Sequence, residues 1–118
     1  MFPSDLHAAA RIWFERGGAV VLGEQEAVLL DALEQSHSIK DAAKAAGISY
    51  RTAWARLQSM QHALGAPVVQ SRAGGPGGGG TLLTDDTRTM LRLYTDVRRR
   101  LDECVALEFR DATSNRLS

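Results

Sequence analysis

The chain has 118 residues, of which 44% are hydrophobic and 24% are charged, and its formal net charge is zero. This composition is typical of one soluble globular domain with a modest core. No apolar run approaches the roughly 18 residues of a membrane-spanning helix, and the first residues do not resemble a signal peptide. The single cysteine, Cys104, excludes an intrachain disulfide. These features predict a cytoplasmic protein that does not bind a membrane.

Charge is unevenly distributed along the chain. Residues 1–36 carry two basic and six acidic side chains, giving 2 − 6 = −4, whereas residues 37–83 carry five basic and one acidic, giving 5 − 1 = +4. The last 35 residues carry seven of each sign. A basic centre of this kind indicates a DNA-binding face on a neutral protein. Ordinary solvated helix charges would give the same count, so both interpretations stay open on charge alone.

The first predicted elements are a β-hairpin and a helix. Residues 11–22 alternate weakly between apolar and polar side chains around Gly17 and Gly18, a pattern that favours a hairpin. From Glu24 to Glu34, apolar residues recur at helical spacing behind acidic residues that suit a helix start. We interpret this segment as a scaffold helix.

Residues 38–50 carry the pattern of a helix-turn-helix. Ser38 can cap a short helix, and Asp41, three residues later, is its expected capping-box partner. Gly47 can supply a left-handed turn, and Ser49 can cap the next helix. This arrangement is the one that places a helix start in the major groove of DNA.

The second helix of this motif is amphipathic. Its predicted buried stripe is narrow and consists of Ala53, Leu57, Met60 and Leu64. Its predicted outward face consists of Arg51, Thr52, Ala55, Gln58, Ser59 and His62. Trp54 borders the apolar stripe, so we expect it in the core.

An extended segment follows Pro67. Two short strand-like runs, 68–72 and 81–83, flank the glycine-rich run 73–80. They favour a two-stranded wing whose glycine tip brings backbone N–H groups near phosphates, with Arg72 at its base. A flexible glycine linker is the alternative interpretation of the same run.

A long helix is predicted from Thr84 to about Arg110. Its apolar residues are spaced 4, 3, 4 and 3, which is typical of a helix that pairs with a second copy: Met90, Tyr94, Val97, Leu101 and Cys104. Packing of this seam against its own domain is the alternative, because the seam is short and Glu108 interrupts it. Cys104 is expected to be a buried small hydrophobe rather than a reactive thiol.

The predicted fold is mostly α with a small β component. It comprises a winged helix-turn-helix over residues 1–83, with an N-terminal hairpin and a glycine-rich wing, then a dimerisation helix over 84–110 and a frayed polar tail over 111–118. No metal site is expected, because the three histidines show no ligand spacing. No group of residues suggests a nucleophile with its base, so neither enzyme activity nor a cofactor is expected.

The motif Gly-Ile-Ser-Tyr-Arg-x-Ala-Trp at residues 47–54, combined with the glycine wing, closely resembles the N-terminal DNA-binding domain of ModE-type molybdate-responsive regulators. It resembles the LysR-type winged helix-turn-helix more distantly. The resemblance covers about residues 24–109 and implies a winged helix that dimerises through its last helix on a two-fold operator. One departure is Pro76, where family members often have a basic residue. Another is that the chain ends at Ser118 without the family's C-terminal molybdate-binding domains, so direct molybdate binding is not expected.

The predicted function is therefore sequence-specific transcriptional regulation by a homodimer bound to double-stranded DNA. The alternative is a protein-interaction module that pairs with a full-length relative through the last helix and modulates it. The residues expected at DNA are Ser38, Ser49, Tyr50, Arg51, Thr52, Ala55, Arg56, Arg72, Gly75, Gly77 and Gly78.

Overall fold

The computed structural model describes residues 2–74 and 79–118. Its elements run in the order β1 (Phe14–Arg16), β2 (Ala19–Leu22), α1 (Glu24–Ser36), α2 (Ile39–Ala45), α3 (Tyr50–Leu64), β3 (Val69–Arg72), β4 (Gly80–Leu83) and α4 (Asp85–Leu117). The chain is thus mostly helical, with two small antiparallel hairpins, and the predicted fold class is confirmed.

The N-terminal hairpin forms where the sequence predicted it. Gly17 and Gly18 join β1 to β2 with φ values of 59° and 82°, and a tight hairpin turn of type I′ needs positive φ at both central residues. The Arg16 guanidinium donates a hydrogen bond to the carbonyl of Leu64 at the end of α3. The hairpin is thereby attached to the far end of the helix-turn-helix.

The core lies where α1, α2 and α3 cross. Its fully buried members include Leu29, Leu30 and Leu33 of α1 and Leu57 of α3. The alanines of α2 that face this core are buried as well, and their small side chains allow the helices to approach closely. The position of these apolar residues determines which side of α3 faces outward.

Both helices of the helix-turn-helix begin with the predicted caps. The Ser38 hydroxyl accepts a hydrogen bond from the Asp41 backbone N–H at 3.2 Å, which is one half of the expected capping box. Ser49 accepts from the Thr52 backbone N–H at 3.0 Å. Gly47 has a φ of 72°, so the turn between the helices needs a residue that tolerates the left-handed region.

Strands β3 and β4 form the wing. They pair antiparallel from Val69 opposite Leu83 to Arg72 opposite Gly80, which confirms a hairpin rather than a linker. On the other edge of β4, the Thr81 backbone N–H donates to the carbonyl of His37 at 2.8 Å. The base of the wing is therefore fixed against the junction of α1 and α2.

Helix α4 begins as predicted but ends later. Thr84 caps it, and the buried hydroxyl of Thr87 donates to the carbonyl of Val68 at 2.9 Å. The helix continues to Leu117, so the predicted end at Arg110 and the frayed tail over 111–118 are wrong. The last seven helical residues contain neither glycine nor proline, and adding residues to an existing helix avoids the cost of nucleation.

The first turns of α4 pack on the chain's own domain. Tyr94 is 1% exposed; its ring meets Phe14 edge to face at 5.4 Å, and its hydroxyl donates to the carbonyl of Ile12 at 3.3 Å. Burial raises the pKa of this phenol above its ordinary value. Met90 is also partly buried against the core. The assignment of Tyr94 to a dimer interface is therefore wrong, because the N-terminal hairpin already covers its ring.

The remainder of α4 projects from the body. The molecule measures 66 × 30 × 22 Å, and the buried residues of α4 are Thr87, Leu91 and Tyr94, all near its start. Further along, Val97 is 39% exposed, and Cys104 is exposed in the single chain, so its burial on a seam between two copies stays a prediction. This projecting part presents apolar side chains to solvent.

Candidate nucleic-acid interface

The outward face of α3 is the predicted one. Ala53, Leu57 and Met60 are buried in the core and fix the rotation of the helix about its axis. The opposite side is exposed along its length and carries Arg51, Thr52, Ala55, Gln58, Ser59 and His62. The residues of this face are therefore accessible to solvent within the described structure.

The start of α3 is organised by its cap. Besides accepting from the Thr52 backbone, the Ser49 hydroxyl donates to the Thr52 side-chain oxygen at 2.9 Å. The Ser49 proton is therefore engaged within the helix, whereas the Thr52 hydroxyl retains its own proton for donation. Arg51 lies between them and is exposed.

Tyr50 and Trp54 form an exposed aromatic pair on one flank of α3. Their ring centroids are 6.3 Å apart at an interplanar angle of 81°. Tyr50 is 53% exposed and Trp54 is 37% exposed, so the prediction that Trp54 lies in the core is wrong. One turn of helix separates Trp54 from Tyr50, and this spacing was the sequence signal that the two rings share a side of the helix.

A groove of about 370 Å³ runs between this flank and the base of the wing. It is lined by Ser38 and Lys40 at the start of α2, by Tyr50 and Trp54 of α3, and by residues 79–81 of the wing. The structure thus brings together two predicted site residues, Ser38 and Tyr50. It adds Lys40 and Trp54, which sequence reasoning did not assign to the site.

Two other residues predicted to contact DNA, Arg72 and Arg56, do not line this groove. Arg72 is exposed at the end of β3 nearest the wing tip, opposite Gly80. Arg56 is half-buried and borders hollows on the other flank of α3, beside Glu26 and β2, so it is not brought together with the groove residues. Gly75, Gly77 and Gly78 lie outside the described residues.

Three basic side chains of the helix-turn-helix form no ion pair with the described residues. The ion pairs within residues 2–74 and 79–118 are Arg88 with Asp85, Arg92 with Glu34, and Arg99 with Glu103. None of these pairs includes Lys40, Lys44 or Arg51, and all three of those side chains are exposed.

The described part of the chain offers neither a metal cluster nor a membrane-spanning helix. No group of three or more His, Cys, Asp or Glu side chains there is arranged to hold a metal ion. No described helix combines the length and the apolar character needed to cross a bilayer.

No protein-family model matches the chain, but several characterised proteins are similar to it. It is 38% identical over 90 residues to the molybdenum-pterin-binding protein MopB of Rhodobacter capsulatus, covering 76% of this chain and 33% of the relative. It is 40% identical over 72 residues to the molybdenum transport protein ModE of Herbaspirillum seropedicae, covering 61% of this chain and 27% of the relative. It is 39% identical over 66 residues to the DNA-binding transcriptional dual regulator ModE of Escherichia coli K12, covering 56% of this chain and 25% of the relative.

The matches span between a quarter and a third of these relatives. The relatives are named as regulators, transport proteins or molybdenum-pterin-binding proteins, and none of the three is named as an enzyme. The resemblance to ModE-type regulators is thereby confirmed by independent comparison, and the chain is a homologue of part of the relatives named ModE and MopB.

Proposed function

We propose that this chain is a sequence-specific DNA-binding unit of a transcription regulator, and that it reads DNA with the outward face of α3. The observation that carries the proposal is the exposed Arg51 in the first turn of the second helix of a helix-turn-helix, beside a two-stranded wing. Arg51 forms no ion pair with the described residues. In DNA-binding proteins with this motif, the second helix lies in the major groove and its N-terminal residues contact base edges. The name of the Escherichia coli relative, a DNA-binding transcriptional dual regulator, supports the same function.

The proposed contacts divide into those that read bases and those that hold the backbone. Arg51 is suited to guanine, because a guanidinium can donate to O6 and N7 together. Thr52 can donate a hydrogen bond, and the methyl group of Ala55 suits a thymine methyl. Arg72, together with the wing tip at Gly75, Gly77 and Gly78, is proposed to contact phosphates of the adjacent backbone.

The proposed active species is a homodimer on a two-fold operator. Val97, Leu101 and Cys104 keep the spacing of a helix-pairing seam on the part of α4 that leaves the body. One small winged helix makes few base contacts, and two copies held by a shared helix pair add their contacts at two half-sites.

A protein-interaction module is the second candidate function. The same projecting part of α4 favours it, because exposed apolar side chains on a free helix suit pairing with a related chain. In that case the chain would modulate a full-length relative and would not recognise DNA by itself.

Selection of duplexes from a random-sequence library, followed by salt titration of the enriched duplex, separates the two candidates. The regulator is expected to enrich a two-fold symmetric motif and to bind it at least about 10³-fold more tightly than a scrambled duplex. Its log affinity should fall linearly with log salt, by about 0.9 for each phosphate contacted. A chain that enriches no motif and binds duplexes without sequence preference would instead favour the interaction module.

A further inference from the structure

We propose that the groove between α3 and the wing base holds the DNA sugar–phosphate backbone, with Trp54 and Tyr50 packing on the sugars and Lys40 pairing with a phosphate. Trp54 is then a positioning contact that increases affinity for any duplex without selecting a sequence. The inference rests on the proposed function, because it assumes that α3 lies in a major groove.

The first argument is where the aromatic pair lies on α3. At 3.6 residues per turn, Trp54 is rotated about 60° around the helix axis from Arg51, toward the wing. If the face of Arg51 meets base edges, the flank of Trp54 meets the wall of the major groove, which is the sugar–phosphate backbone. In the protein, Trp54 lines one side of the groove described above, and the wing base lines the other side. A DNA strand would therefore pass between the two.

The second argument is the exposure of two large aromatic rings in a preformed arrangement. Trp54 and Tyr50 are 37% and 53% exposed, and their edge-to-face contact at 6.3 Å orients each ring against the other. Such side chains offer apolar area together with an indole N–H and a phenol O–H. Deoxyribose offers apolar carbon and the adjacent phosphate offers acceptor oxygens, so the two surfaces are complementary.

The third argument is charge. The described lining of the groove includes Lys40 and contains no carboxylate. Four other surface hollows on the described residues are each lined by at least one acidic side chain. The groove is thus suited to a polyanion, and backbone binding needs this feature because phosphate contacts dominate affinity for DNA.

The test compares variants on two duplexes, the one enriched by selection and one of mixed sequence. Trp54→Ala should weaken binding to both duplexes by the same factor, about fivefold to tenfold for the loss of part of a buried aromatic contact. Trp54→Phe should recover most of that loss. Lys40→Gln should reduce the slope of log affinity against log salt by about 0.9, the amount expected for the loss of one phosphate contact. Trp13→Ala is the matched control, because Trp13 is 54% exposed but lies outside the groove.

Intrinsic fluorescence supplies a measurement that leaves Trp54 in place. With Trp13→Phe, Trp54 is the remaining tryptophan, and adding the mixed-sequence duplex should change its emission. Unchanged emission together with unchanged affinity of Trp54→Ala would overturn the groove proposal while leaving α3 recognition intact. If Trp54→Ala lost affinity for the enriched duplex alone, the groove proposal would also be overturned, because Trp54 would then read a base. Failure of the wild-type chain to bind either duplex would instead reject the proposed function.

Discussion

At the scale of single residues, the contact between Gly80 and His37 fixes the wing to the helix-turn-helix. A Cβ atom added at Gly80 would lie 2.9 Å from the carbonyl oxygen of His37, closer than such atoms approach. That same oxygen accepts the hydrogen bond from Thr81. His37 itself has a φ of 57°, a left-handed conformation that few residues other than glycine adopt. The wing base is held by backbone atoms, so side-chain patterns in the sequence did not indicate this contact.

Gly80→Ala should therefore displace β4 and destabilise the domain. We expect the free energy of unfolding, measured by urea denaturation, to fall by about 1–3 kcal/mol, the usual cost of forcing extra volume into a packed site. Affinity for DNA should fall as well. Gly74→Ala is the control, because its nearest neighbour, the Gly79 backbone nitrogen, would be 3.8 Å away in ordinary contact. Equal stability of the two variants would show that the approach at Gly80 does not constrain the wing.

At the scale of elements, the cap of α3 separates helix stability from DNA contact. Ser49→Asp should keep the free energy of unfolding within about 0.5 kcal/mol of wild type, because aspartate caps helices as well as serine does. It should nevertheless weaken DNA binding sharply, because it puts a carboxylate beside the proposed phosphates. Ser49→Ala should instead lower the free energy of unfolding by about 1 kcal/mol, because the helix cap is lost. If Ser49→Asp binds DNA as wild type does, the start of α3 does not approach the backbone.

Most element boundaries were predictable because their signals are local. The turn at Gly17 and Gly18 needs positive φ, and the helix starts at Ser38, Ser49 and Thr84 carry side chains that bond to the next turn. Each of these signals lies within a few residues of the structure that it specifies. The amphipathic stripe of α3 is equally local, and it correctly predicted the outward face.

The features that were missed depend on contacts between distant residues. Tyr94 fits a helix-pairing seam by spacing, but its hydroxyl bonds to Ile12, 82 residues away, and spacing within α4 gives no sign of this. Trp54 was assigned to the core because it borders the buried stripe, whereas in the structure it lines a groove beside Tyr50 and the wing base and is 37% exposed. Lys40 joins the site only because the wing packs beside α2.

At the scale of the whole molecule, the projecting part of α4 determines the predicted assembly. Sedimentation velocity of the wild-type chain at micromolar concentration should give a dimer, because burying Val97, Leu101 and Cys104 removes apolar area from water. Leu101→Asp should give a monomer, since the dimer would have to bury a charge. Ala106→Asp is the control, because Ala106 is exposed and lies about 180° around the helix axis from Val97. A monomeric wild type, or a Leu101→Asp variant that stays dimeric, would reject this seam.

The central claim is that α3 reads base sequence, and the affinity of Arg51→Ala for the enriched and the scrambled duplex tests it most directly. Arg116→Ala is the control, because it removes the same charge near the far end of α4. Loss of Arg51 should cost about 1–3 kcal/mol on the enriched duplex, relax the preference at one position of each half-site and change binding to the scrambled duplex little. Equal weakening on both duplexes, or no weakening on either, would contradict the account.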